Sequence, residues 1–216
     1  MINSNISKRV PPLLICLCIA FGLSACSTTD QEITEYINAN GKSFTFTSVS
    51  TPKNSSLQAI AYTSTLTSEE ITDINDDMDS LISTYNWNSS QVSGRGPTLD
   101  YNCHSYSWYS QATSNSRWIN QYYFNTNTGQ YTTTANLSKY WTDGSYSLIT
   151  SVSGTSIPSS AANGSKVFYA TGDHSAIKTS SSQFTSKWGA AGLYTHSPGH
   201  APYDTTTISY YKYYKK

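Results

Sequence analysis

The chain has 216 residues, a formal net charge of zero, 12% charged residues and 13% aromatic ones. That length fits one domain of ordinary size, and the charge balance gives no electrostatic case for nucleic-acid binding. The chain is rich in Ser, Thr, Asn and Tyr, which suits an exported, β-rich protein whose surface relies on hydroxyls and amides.

Residues 1–12 carry Lys8 and Arg9 and no acid, and residues 13–23 are apolar apart from Gly22. The apolar run is about 11 residues, short of the roughly 20 that a spanning helix needs. A positive start, a short apolar run and small residues ahead of a cut make a secretory signal. Leu23-Ser24-Ala25-Cys26 resembles the bacterial lipobox at all four positions. The resemblance implies removal of residues 1–25 and a diacylglyceryl thioether on Cys26, so the expected partner is a lipid bilayer. Ser27 fits sorting to the outer membrane of a diderm cell, and a single membrane fits a monoderm one. Loss of Lys8 and Arg9 leaves the mature chain two charges negative.

Cys16 and Cys18 leave with the signal and Cys26 takes the lipid, so Cys103 keeps the remaining thiol. An unpaired thiol in an exported protein points to a reactive residue or to pairing between molecules, and an inert buried cysteine is the competing reading.

Residues 26–55 read as a polar, lipidated tether with one strand at most, and residues 56–216 as the domain. Thr67 and Glu70 form a capping box, and Ile71, Ile74, Met78, Leu81 and Ile82 follow at helical spacing. Asp73, Asp76, Asp77 and Asp79 fill the solvated side of that helix. Residues 91–97, QVSGRGP, predict a loop. Residues 100–112 predict a turn into a short aromatic helix anchored by Trp108 and Tyr109. A second short helix is expected over 136–141, ended by Asp143-Gly144. From Lys166 onward the pattern turns to strands over 166–170, 174–179, 183–188 and 193–196, with turns between them. The terminal YYKYYKK reads as a solvated strand end. The fold class is therefore α+β, with helices packed on an antiparallel meander.

A cysteine hydrolase needs a thiolate, a base and a group that orients the base. Cys103 is expected where a helix begins, which favours a thiolate. His174 is expected to open a strand after a turn. The string NCHSYSWY resembles the nucleophile helix of NlpC-type and CHAP-type bacterial cysteine hydrolases, and GSKVFYATGDHSAIK resembles their strand pair. The chain is also similar to exported bacterial proteins with a C-H-S-Y-x-W segment and a later S-K-W-G segment. The first resemblance implies a papain-like fold, Cys103 as nucleophile, His174 as base, and a third residue at Ser186 or Lys187.

Ser186 is the preferred orienting residue, because a neutral acceptor is compatible with imidazolium and an adjacent ammonium is not. If Phe184 packs into the core, Ser186 shares its face and Lys187 takes the other. The Cys103 sulfur and a His174 ring nitrogen should then lie within about 4 Å, and opposite faces would remove the pairing. His104, Trp108, Lys187, Trp188 and His196 are the expected substrate contacts, with His104 lining the oxyanion region or capping the helix. His196 and His200 fall in a loop, so they read as rim contacts, and neither a metal nor a cofactor is expected. The implied activity is hydrolysis or acyl transfer at an amide bond of a peptidoglycan peptide or envelope protein. The alternative is a binding lipoprotein with an aromatic groove formed by Tyr101, Tyr106, Trp108, Trp188 and Tyr194.

Overall fold

The computed structural model describes residues 35–38, 40–112, 114–170, 173–201 and 210–216. The expected signal and the Cys26 anchor lie outside the described residues.

Strands run in chain order as β1 (Glu35–Ile37), β2 (Ser43–Ser50), β3 (Ser56–Tyr62), β4 (Val92–Arg95), β5 (Tyr122–Asn125), β6 (Gln130–Ala135) and β7 (Ser147–Ser153). They continue as β8 (Lys166–Tyr169), β9 (His174–Lys178), β10 (Phe184–Lys187), β11 (Leu193–His196) and β12 (Tyr210–Lys215). Helix α1 spans Ser68–Thr84, a π-helical segment spans Ser105–Tyr109, and α2 spans Lys139–Thr142. β1–β3 form one sheet and β5–β6 a hairpin, while the largest sheet has the order β4-β11-β10-β9-β8-β12-β7. Every strand pair in them is antiparallel. The fold is thus mixed α+β, with the long meander open rather than closed into a barrel.

α1 begins where the sequence places it. Thr67 Oγ1 accepts from the Glu70 N–H, and the Glu70 carboxylate accepts from the Thr67 N–H. Two orphan donors are satisfied at once. Ile74 and Met78 bury against Val92, Trp188 and Tyr194.

Three stretches differ from expectation. β1 and β2 lie inside the stretch read as tether, and Phe44 and Val49 of β2 are buried. Residues 92–95 are an edge strand rather than a loop. Gly94 permits this, because a Cβ there would stand 2.1 Å from the Leu193 carbonyl oxygen on β11. The terminal YYKYYK is not a solvated end: β12 lies between β8 and β7 and buries Tyr211, Tyr213 and Tyr214.

Strand pairing assigns the faces of the seven-stranded sheet, because paired residues share a face and alternate residues oppose it. One face carries Phe168, Ser175, Ile177, Thr185, Lys187 and Leu193. The other carries Val167, Tyr169, His174, Ala176, Phe184, Ser186, Tyr194 and His196. Both are covered. The first face packs against the π-helical segment and its flanks, with Ile177 on Tyr101 and Tyr106 and Phe168 in a cluster with Trp108, Tyr140 and Tyr146. The second packs Ala161 against Tyr169, Phe184 and Tyr211, and α1 against Trp188 and Tyr194.

Candidate active site

Cys103 stands at the start of the helical turn that runs into the π-helical segment. Asn102 fixes this start. Its Oδ1 accepts from the Ser105 N–H at 3.0 Å and the Ile119 N–H at 3.2 Å, while its Nδ2 donates to the Ile119 carbonyl at 2.8 Å. The Ser110 N–H reaches the Ser105 carbonyl at 3.0 Å, the i to i+5 bond of a π-helix. Trp108 holds the segment down. Its indole is ringed by Tyr140, Trp141, Tyr146 and Tyr214, and its Nε1 donates to Ser175 Oγ at 2.8 Å.

Ser175 also meets His104. The His104 Nδ1 lies 2.8 Å from Ser175 Oγ, and its Nε2 lies 2.7 Å from Asp173 Oδ1. The ring is 1% exposed, while the Asp173 side chain is 64% exposed. Burial alone would lower the imidazole pKa. The negative charges of Cys103 and Asp173, and hydrogen bonds to both, outweigh it and raise the value to about 10. Burial raises the Asp173 carboxyl pKa, but the His104 charge and hydrogen bond leave it lowered overall. At neutral pH His104 is therefore an imidazolium paired with a carboxylate. Both ring nitrogens then donate, so Ser175 Oγ accepts from the imidazolium and the indole together. The Cys103 thiol, buried and free of any disulfide, belongs to the residue directly before His104 and is one of the groups that raise the imidazole pKa.

Lys187 lies on this side of the sheet. Its side chain is fully buried, and Nζ donates to the Thr98 carbonyl at 3.1 Å and the Gly189 carbonyl at 2.5 Å. The amine stands 5.4 Å from the Tyr101 ring centre. Burial lowers its pKa to about 7, against the pull of negative charge at Cys103 and Asp100.

The expected pairing of Cys103 with His174 is corrected by the register. Ser175 faces the Cys103 segment, so His174 faces away, beside Tyr169 with ring centres 4.7 Å apart. Ser186 shares the His174 face, as expected from a buried Phe184, but its hydroxyl bonds His196 Nε2 at 2.8 Å and accepts from Trp188 Nε1 at 3.0 Å. The other His196 nitrogen meets the Ser197 carbonyl at 3.0 Å. Trp188, Ser186 and His196 thus form a buried chain of structural hydrogen bonds rather than substrate contacts. Lys187 is neither solvated nor open to a substrate carboxylate. Trp108 is core as well. The aromatic groove is corrected on the same ground, because Tyr101, Tyr106, Trp108, Trp188 and Tyr194 are all buried. His104 is neither a helix cap through its side chain nor an exposed oxyanion donor. Among the described residues, no group of three or more His, Cys, Asp or Glu is placed to hold a metal ion.

Asp173, Ser175 and Asn102 are the residues that sequence reasoning passed over. Each is a neighbour of a residue it had singled out: Asn102 precedes Cys103, and Asp173 and Ser175 flank His174. The DHS triplet places its carboxylate and hydroxyl, rather than its imidazole, on His104. Comparison with family models, with curated proteins and with solved structures found no match.

Proposed function

We propose that the chain is an exported lipoprotein, anchored through Cys26, whose domain performs thiol-dependent hydrolysis or acyl transfer at an amide bond of the cell envelope. In this reading Cys103 is the nucleophile, His104 its acid and base, and Asp173 the group that orients the ring. The observation that carries it is a free thiol beside a buried imidazolium held by a carboxylate at 2.7 Å. A helical nucleophile segment laid on an antiparallel sheet is also the order of a papain-like hydrolase, with the imidazole supplied from the segment itself.

The chemistry follows from those parts. The Cys103 thiolate attacks the carbonyl carbon, and the carbon–nitrogen bond breaks as the His104 imidazolium, still held by Asp173 at Nε2, gives the Nδ1 proton that Ser175 accepts at rest to the leaving amine. The ring, now neutral, takes a proton from water. The resulting hydroxide attacks the thioester, and the carbon–sulfur bond breaks to release the acid. Because Cys103 is 4% exposed, the substrate carbonyl enters from the Asp173 side, where the cluster meets solvent. The lipid anchor would hold the domain beside peptidoglycan, so a stem or cross-bridge peptide is the first substrate class.

The test is digestion. Full-length protein in detergent is incubated with peptidoglycan fragments and with envelope proteins, and released peptides are measured. Wild type should cleave, and Cys103→Ala should lower turnover at least a hundredfold, about 3 kcal/mol of transition-state stabilisation. Equal digestion by Cys103→Ala, or none by wild type, would overturn the proposal.

A further inference from the structure

We propose that Tyr85, Trp87 and His200 form a surface platform that binds a neutral glycan chain by stacking against the flat faces of its sugar rings. The inference goes beyond the proposed function and uses neither Cys103 nor its partners.

The end of α1 builds the platform. Tyr85 caps the helix and Asn86 turns into the left-handed region at φ 52°. The Asn86 N–H then returns to the Ser83 carbonyl and the Trp87 N–H to the Ile82 carbonyl, each at 3.0 Å. These two bonds close the last turn and fix the residues on either side of Asn86. The Tyr85 and Trp87 rings consequently stack, with centres 5.0 Å apart and planes 15° from parallel. His200 reaches Trp87 from the loop after β11, with ring centres 4.9 Å apart. That loop is tied to the chain after α1, because the Ser197 N–H donates to the Gln91 carbonyl at 2.9 Å and the His200 N–H to the Ser197 carbonyl at 3.1 Å. Behind the row, Trp87 meets the buried Trp188 edge-on at 6.4 Å. The three rings are therefore in place before any ligand arrives.

Core packing accounts for Trp87 but not for Tyr85. Trp87 joins Leu81 and Ile82 against the cluster that holds Ile74 and Met78, whereas Tyr85 is 45% exposed. One face of the Tyr85 ring lies on Trp87, so the exposed area belongs to the outward face and the rim.

The surroundings select the ligand. Residues 80–92 hold no charged side chain, and residues 188–201 hold no lysine, arginine, aspartate or glutamate. Asn86, Asn88 and Ser89 stand exposed beside the rings. A single-stranded nucleic acid also stacks on aromatic rings, but its phosphates need cations that neither stretch supplies. A charged peptide finds no ion-pair partner in either stretch. A sugar ring carries C–H groups on its flat faces and hydroxyls at its rim. That pattern matches aromatic faces bordered by amides and hydroxyls, which both donate and accept hydrogen bonds. The platform also lies apart from the candidate active site. Trp87 packs with Trp188 and Tyr194 on the side of the seven-stranded sheet that α1 covers, and the Cys103 segment covers the other. A glycan held there is bound without entering the Cys103–His104 cluster.

The experiment reads binding directly. Full-length protein in a detergent without a sugar headgroup is titrated with chitohexaose, with cellohexaose and with an oligonucleotide of ten thymidines, and heats are measured by calorimetry. Wild type should bind at least one hexasaccharide with a Kd no weaker than about 1 mM. The ratio of the two affinities separates an acetamido-bearing glycan from a plain glucan. Tyr85→Ala should weaken that binding about tenfold, and Tyr85→Phe, which keeps the flat ring, should stay within about twofold of wild type. Absence of hexasaccharide binding by wild type, an unchanged affinity in Tyr85→Ala, or tighter binding of the oligonucleotide than of either sugar overturns the inference. If Tyr85→Ala does not fold, Tyr85→Leu, which keeps apolar bulk without a flat face, decides by the same criterion. Calorimetric binding needs no turnover. A protein that cleaves nothing can still bind through Tyr85, and a protein that cleaves can lack this binding, so the two proposals fail separately.

Discussion

At the residue scale, the unusual feature is a buried, charge-paired imidazole directly after the free thiol of Cys103 in sequence. Adjacent residues on a helix do not face each other, so the two would normally diverge. Here the ring of His104 is captured from outside, by Ser175 on Nδ1 and Asp173 on Nε2. Asp173 is the stronger lever, because it supplies charge as well as a hydrogen bond. Asp173→Asn should therefore weaken proton binding at His104 about tenfold or more. Proton NMR titration of the His104 ring checks this, and an unchanged midpoint would mean that the carboxylate does not govern the ring. Asn102 has a quieter role: its side chain satisfies three backbone groups and ties the turn at Cys103 to Ile119.

At the element scale, the spans of α1 and of β8 to β11 were legible in the sequence, and the direction in which His174 points was not. Gly and Asp punctuation bounded β8 to β11 to within a residue or two, and the Thr67 cap fixed the start of α1. Which way His174 points could not be read in the same manner. A strand with one wet face alternates polar and apolar residues, whereas all five residues of β9 are buried, because both faces are covered. HSAIK consequently carries no alternation to break the tie. The resemblance to a His-initiated strand chose one face, and the pull of Ser175 toward His104 and Trp108 chose the other. β12 misled for a related reason. Its lysines suggested solvent, but its tyrosines bury on both faces of the sheet, Tyr211 and Tyr213 with Phe184 on one and Tyr214 with Trp108 on the other. The contact from Asp173 to His104 spans 69 residues and leaves no local signature.

At the scale of the whole molecule, the seven-stranded sheet separates two sets of histidines with opposite charge behaviour. His104, on one face, is held protonated to about 10. On the other face, burial lowers the pKa of His196 to about 4 and that of His174 well below its ordinary value of 6.5. The signs differ accordingly. A buried neutral histidine stabilises the fold above its unfolded pKa, and that contribution is lost as pH falls from about 6.5 through 4. The His104 contribution is complete below 6.5 and is lost as pH rises toward 10. Urea unfolding from pH 7 to 4 should therefore show stability falling, with about 3 kcal/mol of the loss absent in His196→Gln. Parallel curves for wild type and the variant would remove His196 as the acid-sensitive group. The same partition bears on the central claim, that Cys103 works with the imidazole on its own face of the sheet. The most direct measurement is the rate of Cys103 alkylation at pH 6.5 in folded wild type, His104→Gln and His174→Gln. The account predicts a rate about tenfold lower in His104→Gln, the effect of one pKa unit, and a rate within about twofold of wild type in His174→Gln. A slow His174→Gln beside an unaffected His104→Gln would contradict it.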